Sequence, residues 1–136
     1  MNSGEATSPG PLSDPERFAE ACRRFDLLNA EDPNPDSADG QSQPRELAQA
    51  RRLTDWVLKL APQASEALRL AARCQHLRRW MIPRDRYPMT RAGYLEWRAT
   101  LKQFHADQSA AVLRELGYPE PTIARVRDLN LKRNLA

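Results

Sequence analysis

Apolar side chains recur three and four residues apart in five separate stretches of the chain, and this spacing predicts amphipathic helices. The sequence shows no period-two alternation of β-branched residues, so no sheet is expected. The first helix is predicted to begin at the Ser13-Asp14-Pro15-Glu16 capping box. The others are predicted over about 44–60, 64–80 and 90–116, and after Pro121. The pattern therefore predicts an all-α fold of about five helices.

Two stretches lack this periodicity. Residues 1–12 are small and polar and are expected to form a disordered tail, and the proline-containing stretch near 30–43 is expected to be a mobile loop. The helical domain then covers residues 13–136, a length typical of one domain with one core. The third helix is apolar on too broad a face for a surface helix, so it is expected at the centre.

The composition points away from membranes. No apolar run approaches the roughly 20 residues that a membrane helix requires. The first residues also lack the basic and apolar parts of a secretion signal. Cys22 and Cys74 have no metal-ligand spacing, so both are expected to be free thiols. We therefore expect a cytoplasmic protein with no membrane partner.

Charge is unevenly distributed along the chain. Residues 1–44 carry a net −6 and residues 45–136 a net +9, which sum to +3. Eight arginines and only two acids lie within 69–98, next to two loop prolines and several aromatic residues. Arginine forks and stacking rings favour a phosphate-bearing small molecule, a nucleotide or single-stranded RNA. The alternatives are a solvated surface and the codon bias of a GC-rich genome. The candidate ligand-binding residues are Arg69, Arg73, Arg79, Trp80, Arg84, Arg86, Arg91 and Arg98.

Both histidines of the chain fall in this helical region. His76 is predicted to share one stripe of the third helix with Arg69, Arg73 and Trp80, because these residues are spaced four, three and four apart. His105 belongs to the inward face of the fourth helix. Neighbouring arginines disfavour a charged imidazole, so we expect a neutral His76 that can take a proton or ligate a metal. The alternatives are an exposed basic stripe and a hydrogen-bonded core histidine.

Three stretches of the chain resemble the family known as domain of unknown function 4202. They run from Arg17-Phe18 through the NAEDP sequence at 29–33, from Leu60 to Tyr118, and over IARVRDLNLKRNL at 123–135. The family carries no assigned activity, so the resemblance implies no site residues. Its members continue beyond the position of Ala136, and we therefore expect that the chain is truncated there.

A more distant resemblance is to HD-type metal-dependent phosphohydrolases. The sequence AARCQHL at 71–77 is similar to their Ala-Ala-x-x-His-Asp-x signature, and the run from His105 to Val126 is similar to the helical segment that follows it. The resemblance implies an HD-like helical arrangement and a divalent metal ion. Gln75-His76 stands where the His-Asp pair would be, so the implied site is degenerate. Its candidate ligands are His76 and His105, with an oxygen from Asp26, Asn29, Glu31 or Asp32.

Two functional hypotheses follow from these residues. The first is an HD-like hydrolase of a phosphate ester, in which the histidines hold the metal and the arginines bind the phosphate. The second is a non-catalytic domain that binds a nucleotide or RNA. If the HD relation is structural, the two imidazoles should lie near each other and face a cavity that the 29–32 segment also borders.

Overall fold

Five α-helices account for most of residues 12–36 and 42–132, which are the residues that the computed structural model describes. The helices are α1 (Pro15–Asn29), α2 (Arg45–Leu60), α3 (Glu66–Cys74), α4 (Arg91–Glu115) and α5 (Glu120–Leu131). Two 3-10 turns, Arg79–Met81 and Arg84–Arg86, lie between α3 and α4. The predicted all-α fold is confirmed. The predicted tail, apart from Leu12, and residues 37–41 of the predicted mobile loop lie outside the described residues.

Side chains cap the first turns of three helices. The Asp14 carboxylate accepts a hydrogen bond from the backbone N–H of Arg17 at 3.1 Å. Asp14, rather than the predicted Ser13, is therefore the N-cap of α1. Ser13 instead donates its backbone N–H to Glu66 at 3.1 Å. Ser65 and Thr90 cap α3 and α4 in the same way as Asp14 caps α1. These caps fix where the helices start.

The core forms where α3 meets α1, α2 and α5, and α4 closes it by packing against α5 and α1. The prediction that the third helix is central is therefore confirmed. Both cysteines are free thiols, as expected, and Cys74 is completely buried. The large side chains that fill the core are Phe25, Leu70, Leu77, Leu113, Ile123 and Val126.

A short antiparallel ladder joins the ends of the predicted loop. Strands β1 (Pro35–Asp36) and β2 (Gln43–Pro44) pair, so the expectation of no sheet is wrong in this detail. The backbone N–H of Arg45 donates to the carbonyl of Asn34 at 2.8 Å. Each strand has two residues, which is too short for an alternating pattern of polar and apolar side chains, so the sequence does not predict the ladder.

None of the helices in the described ranges is long and apolar enough to cross a membrane. The longest, α4, has 25 residues and carries charged side chains along its exposed side.

Gly93 lies in the first turn of α4, where the backbone of Pro88 passes close to the helix. A Cβ at this position would stand 2.1 Å from the Pro88 carbonyl oxygen. We expect Gly93→Ala to lower the free energy of unfolding by about 2 kcal/mol, because backbone atoms have to move apart. Urea denaturation measures the change, with the exposed Ala92→Ser as control. Equal stability of Gly93→Ala and wild type would contradict the close packing.

Candidate functional site

The candidate site is built around a sharp corner, residues 75–78, that ends α3. The helix was predicted to reach Trp80 but ends at Cys74, and Arg78 has left-handed backbone geometry with φ of 57°. The buried Asn29 side chain accepts the Arg78 backbone N–H at 3.3 Å. These contacts hold the chain in a turn and send the following residues back toward α4.

The corner brings the two histidines together, with their ring centroids 5.8 Å apart. His105 is buried, and its Nδ1 lies 2.9 Å from the carbonyl oxygen of Leu77. Because a carbonyl only accepts, Nδ1 carries the proton in this contact and Nε2 of the neutral ring keeps its lone pair. The predicted proximity of His76 and His105 is confirmed.

Burial lowers the pKa of both imidazoles to about 4. His76 is an exposed residue by surface area, so its desolvation comes from the side chains around the cavities that it lines, and the positive charges of Arg79, Lys132 and Arg98 lower its pKa further. For His105, the hydrogen bond to Leu77 acts in the opposite direction. Both rings are therefore neutral at pH 7, as expected for His76, although burial contributes more than the arginines do.

A cavity of about 660 Å³, the arginine cavity, opens beside His76. The guanidinium groups of Arg79 and Arg84 lie over the Trp97 ring, 5.4 and 5.8 Å from its centroid. The Trp97 indole N–H donates to the Ile82 carbonyl at 2.8 Å, which fixes the ring. Cation–π contacts therefore hold both arginines at this ring, and Arg84 also donates to the carbonyls of Tyr87 and Thr90 at 3.2 and 3.5 Å. Other lining residues include Arg45, Gln49 and Trp80, and the carboxylates in the lining are Asp36, which is bonded to Arg52, and Glu46.

A second cavity of about 430 Å³, the amide cavity, adjoins the first. Its lining includes Asn29, and it shares Glu46, Gln49 and His76 with the arginine cavity. Asn29 and His76 line this cavity but His105 does not, so the expected cavity shared by both imidazoles and the 29–32 segment is not among the three cavities of the described residues. Side-chain amides are its most frequent polar groups, since Asn29, Gln49 and Gln75 all contribute to it.

A third cavity of about 240 Å³, the histidine cavity, is lined by both imidazoles. The amide oxygen of Asn130, another lining residue, is buried without a hydrogen-bond partner. His76 belongs to all three cavities, so it stands at the junction of the site. The cationic residues that line the histidine cavity are Arg79, Arg98, Lys102 and Lys132.

The structure separates the residues of the predicted stripe. Because α3 ends at Cys74, Trp80 leaves the helix and lines the arginine cavity. Arg69 donates to the backbone carbonyl of Ala64 at 3.0 Å, and Arg73 lies 3.7 Å from Asp26 in a salt bridge. Neither arginine lines any of the three cavities. The prediction of a single Arg69–Arg73–His76–Trp80 stripe is wrong.

The other candidate arginines differ in whether they line a cavity. Arg98 donates to the Tyr94 hydroxyl at 2.9 Å and lines the histidine cavity. Arg86 and Arg91 are exposed and line none of the three cavities. Arg79 and Arg84 are the members of the predicted set that reach the arginine cavity as cations.

Asp32, the carboxylate named as a metal ligand, has a structural role in this fold. It is 6% exposed, and one of its oxygens accepts the backbone N–H of Glu46 at 2.8 Å. The other oxygen accepts from the backbone and side chain of Asn34 at 2.9 and 3.0 Å. Asp32 therefore stabilises the start of α2. Among the described residues no group of three His, Cys, Asp or Glu is arranged to hold a metal.

Glu46 is a site residue that the sequence reasoning missed. It is 7% exposed and lines both the arginine and the amide cavities. Burial raises its pKa, and the charge of Arg79 opposes this effect. In the sequence it is an ordinary acid in the first turn of a helix, a position typical of a solvent-exposed residue. The ladder and Asp32 place it inward, and no local pattern indicates this.

A family model for a domain of unknown function, DUF4202, matches residues 19–136. The chain belongs to the DUF4202 family. The match covers most of the sequence and confirms the stronger of the two resemblances, whereas the relation to HD-type domains stays a prediction. No curated protein and no solved structure matches the chain. Membership in DUF4202 brings no activity with it.

Proposed function

We propose that this domain binds a phosphate-bearing ligand in the arginine cavity, with Arg79 and Arg84 contacting the phosphate. The observation that carries the proposal is the cation–π contact of both guanidinium groups with Trp97 at the wall of one cavity. Planar guanidinium forks match the oxygens of phosphate, and groups already held in place lose little freedom when the ligand binds.

The charge of these arginines favours an external anion. Within the described ranges, no carboxylate lies within ion-pair distance of Arg79, Arg84 or Arg45. Arg73 and Arg78, in contrast, have carboxylate partners in the protein. The cations of the arginine cavity repel one another, and a bound anion relieves this repulsion.

His76 adds to the same preference. Its imidazole lines the arginine cavity in the neutral form, because burial and nearby cations lower its pKa to about 4. An anion placed beside the ring favours the protonated form, so binding at this position draws a proton onto His76. Such a histidine can donate a hydrogen bond to a phosphate oxygen after it takes up the proton.

We expect inorganic pyrophosphate and nucleotides to raise the melting temperature of the wild-type protein at low salt, because a ligand of the folded state stabilises it. Arg79→Lys and Arg84→Lys should each weaken binding by about tenfold, since a lysine keeps the charge but loses the fork. Thermal melting across a concentration series gives the affinities.

The matched controls are Arg86→Lys and Arg91→Lys, which change exposed residues outside the three cavities. Both controls should bind as the wild type does. No rise in melting temperature with any of these anions would overturn the proposal. If all four variants bind the anions equally weakly, binding depends on the general positive charge of the surface and not on the arginine cavity.

A metal-dependent phosphohydrolase is the second candidate function. It is favoured by the contact between His105 Nδ1 and the Leu77 carbonyl. Metal-ligating histidines commonly donate one ring N–H to a carbonyl, and this hydrogen bond orients the other ring nitrogen toward the metal. A bound divalent ion would supply an activated water at that position. However, four cationic side chains line the histidine cavity and oppose a divalent cation. Anion binding therefore fits the donor set better.

A further inference from the structure

The carboxylate of Glu46 is unusual among the charged groups of the site. Its residue is 7% exposed, yet no described residue donates a hydrogen bond to it or forms a salt bridge with it. Its oxygens are not among the fully buried polar atoms that lack a hydrogen-bond partner, so they keep contact with the solvent of the cavities and remain open to an external donor. Glu46 lines both the arginine cavity and the amide cavity, so an external group in either cavity lies next to this residue.

The rest of the amide cavity suits a flat polar ring. Gln49 and Gln75 supply amide groups that both donate and accept hydrogen bonds. The indole of Trp56, 58% exposed, forms an apolar wall of the cavity. Arg52, the cation in this lining, is already bonded to Asp36 at 2.9 Å. The cavity thus offers a stacking surface, amides and one acceptor carboxylate, without a free charge for a second phosphate.

We propose that the amide cavity holds a guanine base, with Glu46 accepting hydrogen bonds from its two adjacent N–H groups, while the phosphate of the same nucleotide lies in the arginine cavity. The inference rests on the proposed anion binding and names the ligand class. Glu46, Gln49 and His76 line both cavities, so a base in one and a phosphate in the other are in reach of one molecule.

The chemistry of the carboxylate selects the base. An ionised carboxylate has two oxygens and only accepts, so it is complementary to a group that presents two N–H donors side by side. Guanine presents its ring N1–H and its exocyclic amino group in this way, a geometry like that of the guanidinium fork. Adenine presents an acceptor nitrogen beside its amino group, and this acceptor would face a carboxylate oxygen. Burial raises the pKa of the Glu46 carboxyl, and the positive charge of Arg79 opposes this shift toward the neutral form. The N–H donors of a bound guanine would favour the ionised form in the same direction as Arg79.

Titration of the wild-type protein with guanosine, inosine and adenosine monophosphates tests the inference. Inosine keeps the ring N1–H and lacks the amino group, so the expected order of affinity is guanosine, inosine, adenosine. We expect guanosine monophosphate to bind at least about tenfold more tightly than adenosine monophosphate, because adenine leaves a buried polar group unpaired.

Glu46→Gln should abolish this order, while inorganic pyrophosphate should still raise the melting temperature and bind at least as tightly as to the wild type, because the variant removes a negative charge from the lining of the arginine cavity. The glutamine has nearly the same shape, and its melting temperature without ligand reports whether the variant folds. Asp55→Asn, an exposed change on the same helix, is the matched control and should keep the guanine preference.

Two results separate the failure of this inference from the failure of the proposed function. Equal binding of the three nucleotides, with the pyrophosphate response intact and sensitive to Arg79→Lys, overturns the guanine assignment alone. Absence of any response to pyrophosphate or nucleotides overturns both. A guanine preference that persists in Glu46→Gln contradicts the role of Glu46.

Discussion

Lowering the pH from 7 to 4 should destabilise the fold by about 3 kcal/mol through His105 alone. The reason is that the pKa of this buried imidazole is about 4 in the folded protein, compared with 6.5 in the unfolded chain. The unfolded chain takes up a proton near pH 6.5, whereas the folded protein takes it up only near pH 4. The contribution of His105 to the free energy of unfolding is therefore fully present above pH 6.5 and is lost progressively as the pH falls toward 4.

The contribution of His105 is isolated by comparison with His105→Asn. An asparagine amide nitrogen stands near the position of Nδ1, so it retains a donor for the Leu77 carbonyl but does not titrate. Urea denaturation at several pH values between 7 and 4 gives the free energy of unfolding of both proteins. The wild type should lose stability more steeply than the variant. A constant difference between them over this range would show that His105 titrates normally in the folded state.

Asp32→Ala should lower the free energy of unfolding by about 3 kcal/mol, because three donors lose a buried, charged acceptor. The backbone N–H of Glu46, in the first turn of α2, is one of them, so the variant should also lose part of the structure at this helix end. Chemical denaturation followed by circular dichroism measures both effects. Asp85→Ala, a change of an exposed aspartate, is the control and should cost little.

The same variant distinguishes a capping role from the metal-ligand role that the HD resemblance implies. If Asp32 acts only through its hydrogen bonds, the loss of stability is the same with a chelator and with added Zn²⁺ or Mn²⁺. If Asp32 is a ligand, the wild type is stabilised by metal and Asp32→Ala is not. The second outcome would favour the metal-dependent hydrolase over simple anion binding.

The sequence predicted the helices well because helical periodicity extends over several turns in each of them. It placed the end of α3 wrongly, since the pattern of apolar residues continues through Leu77 while the helix ends at Cys74. The end is determined by contacts with α1 and α4, in which Asn29 binds the backbone of Arg78 and His105 binds that of Leu77. Such long-range contacts leave no local pattern.

The candidate site was predictable only where a feature depends on residue identity. The density of arginine and aromatic residues pointed to Arg79, Arg84 and Trp80, which do line one cavity. Arg69 and Arg73 do not share a stripe with His76 and Trp80, because α3 ends at Cys74. Glu46 was missed because its burial follows from tertiary packing.

The contact between His105 and the Leu77 carbonyl also has a spectroscopic consequence. An imidazole proton that is buried and bonded to a carbonyl exchanges slowly with water, so nuclear magnetic resonance can observe it as a separate downfield signal. Leu77 belongs to the corner that is followed directly by Arg79, and the His76 ring lies beside that of His105. The chemical shift of this one proton therefore reports, without any label on the ligand, whether a molecule has entered the neighbouring cavities.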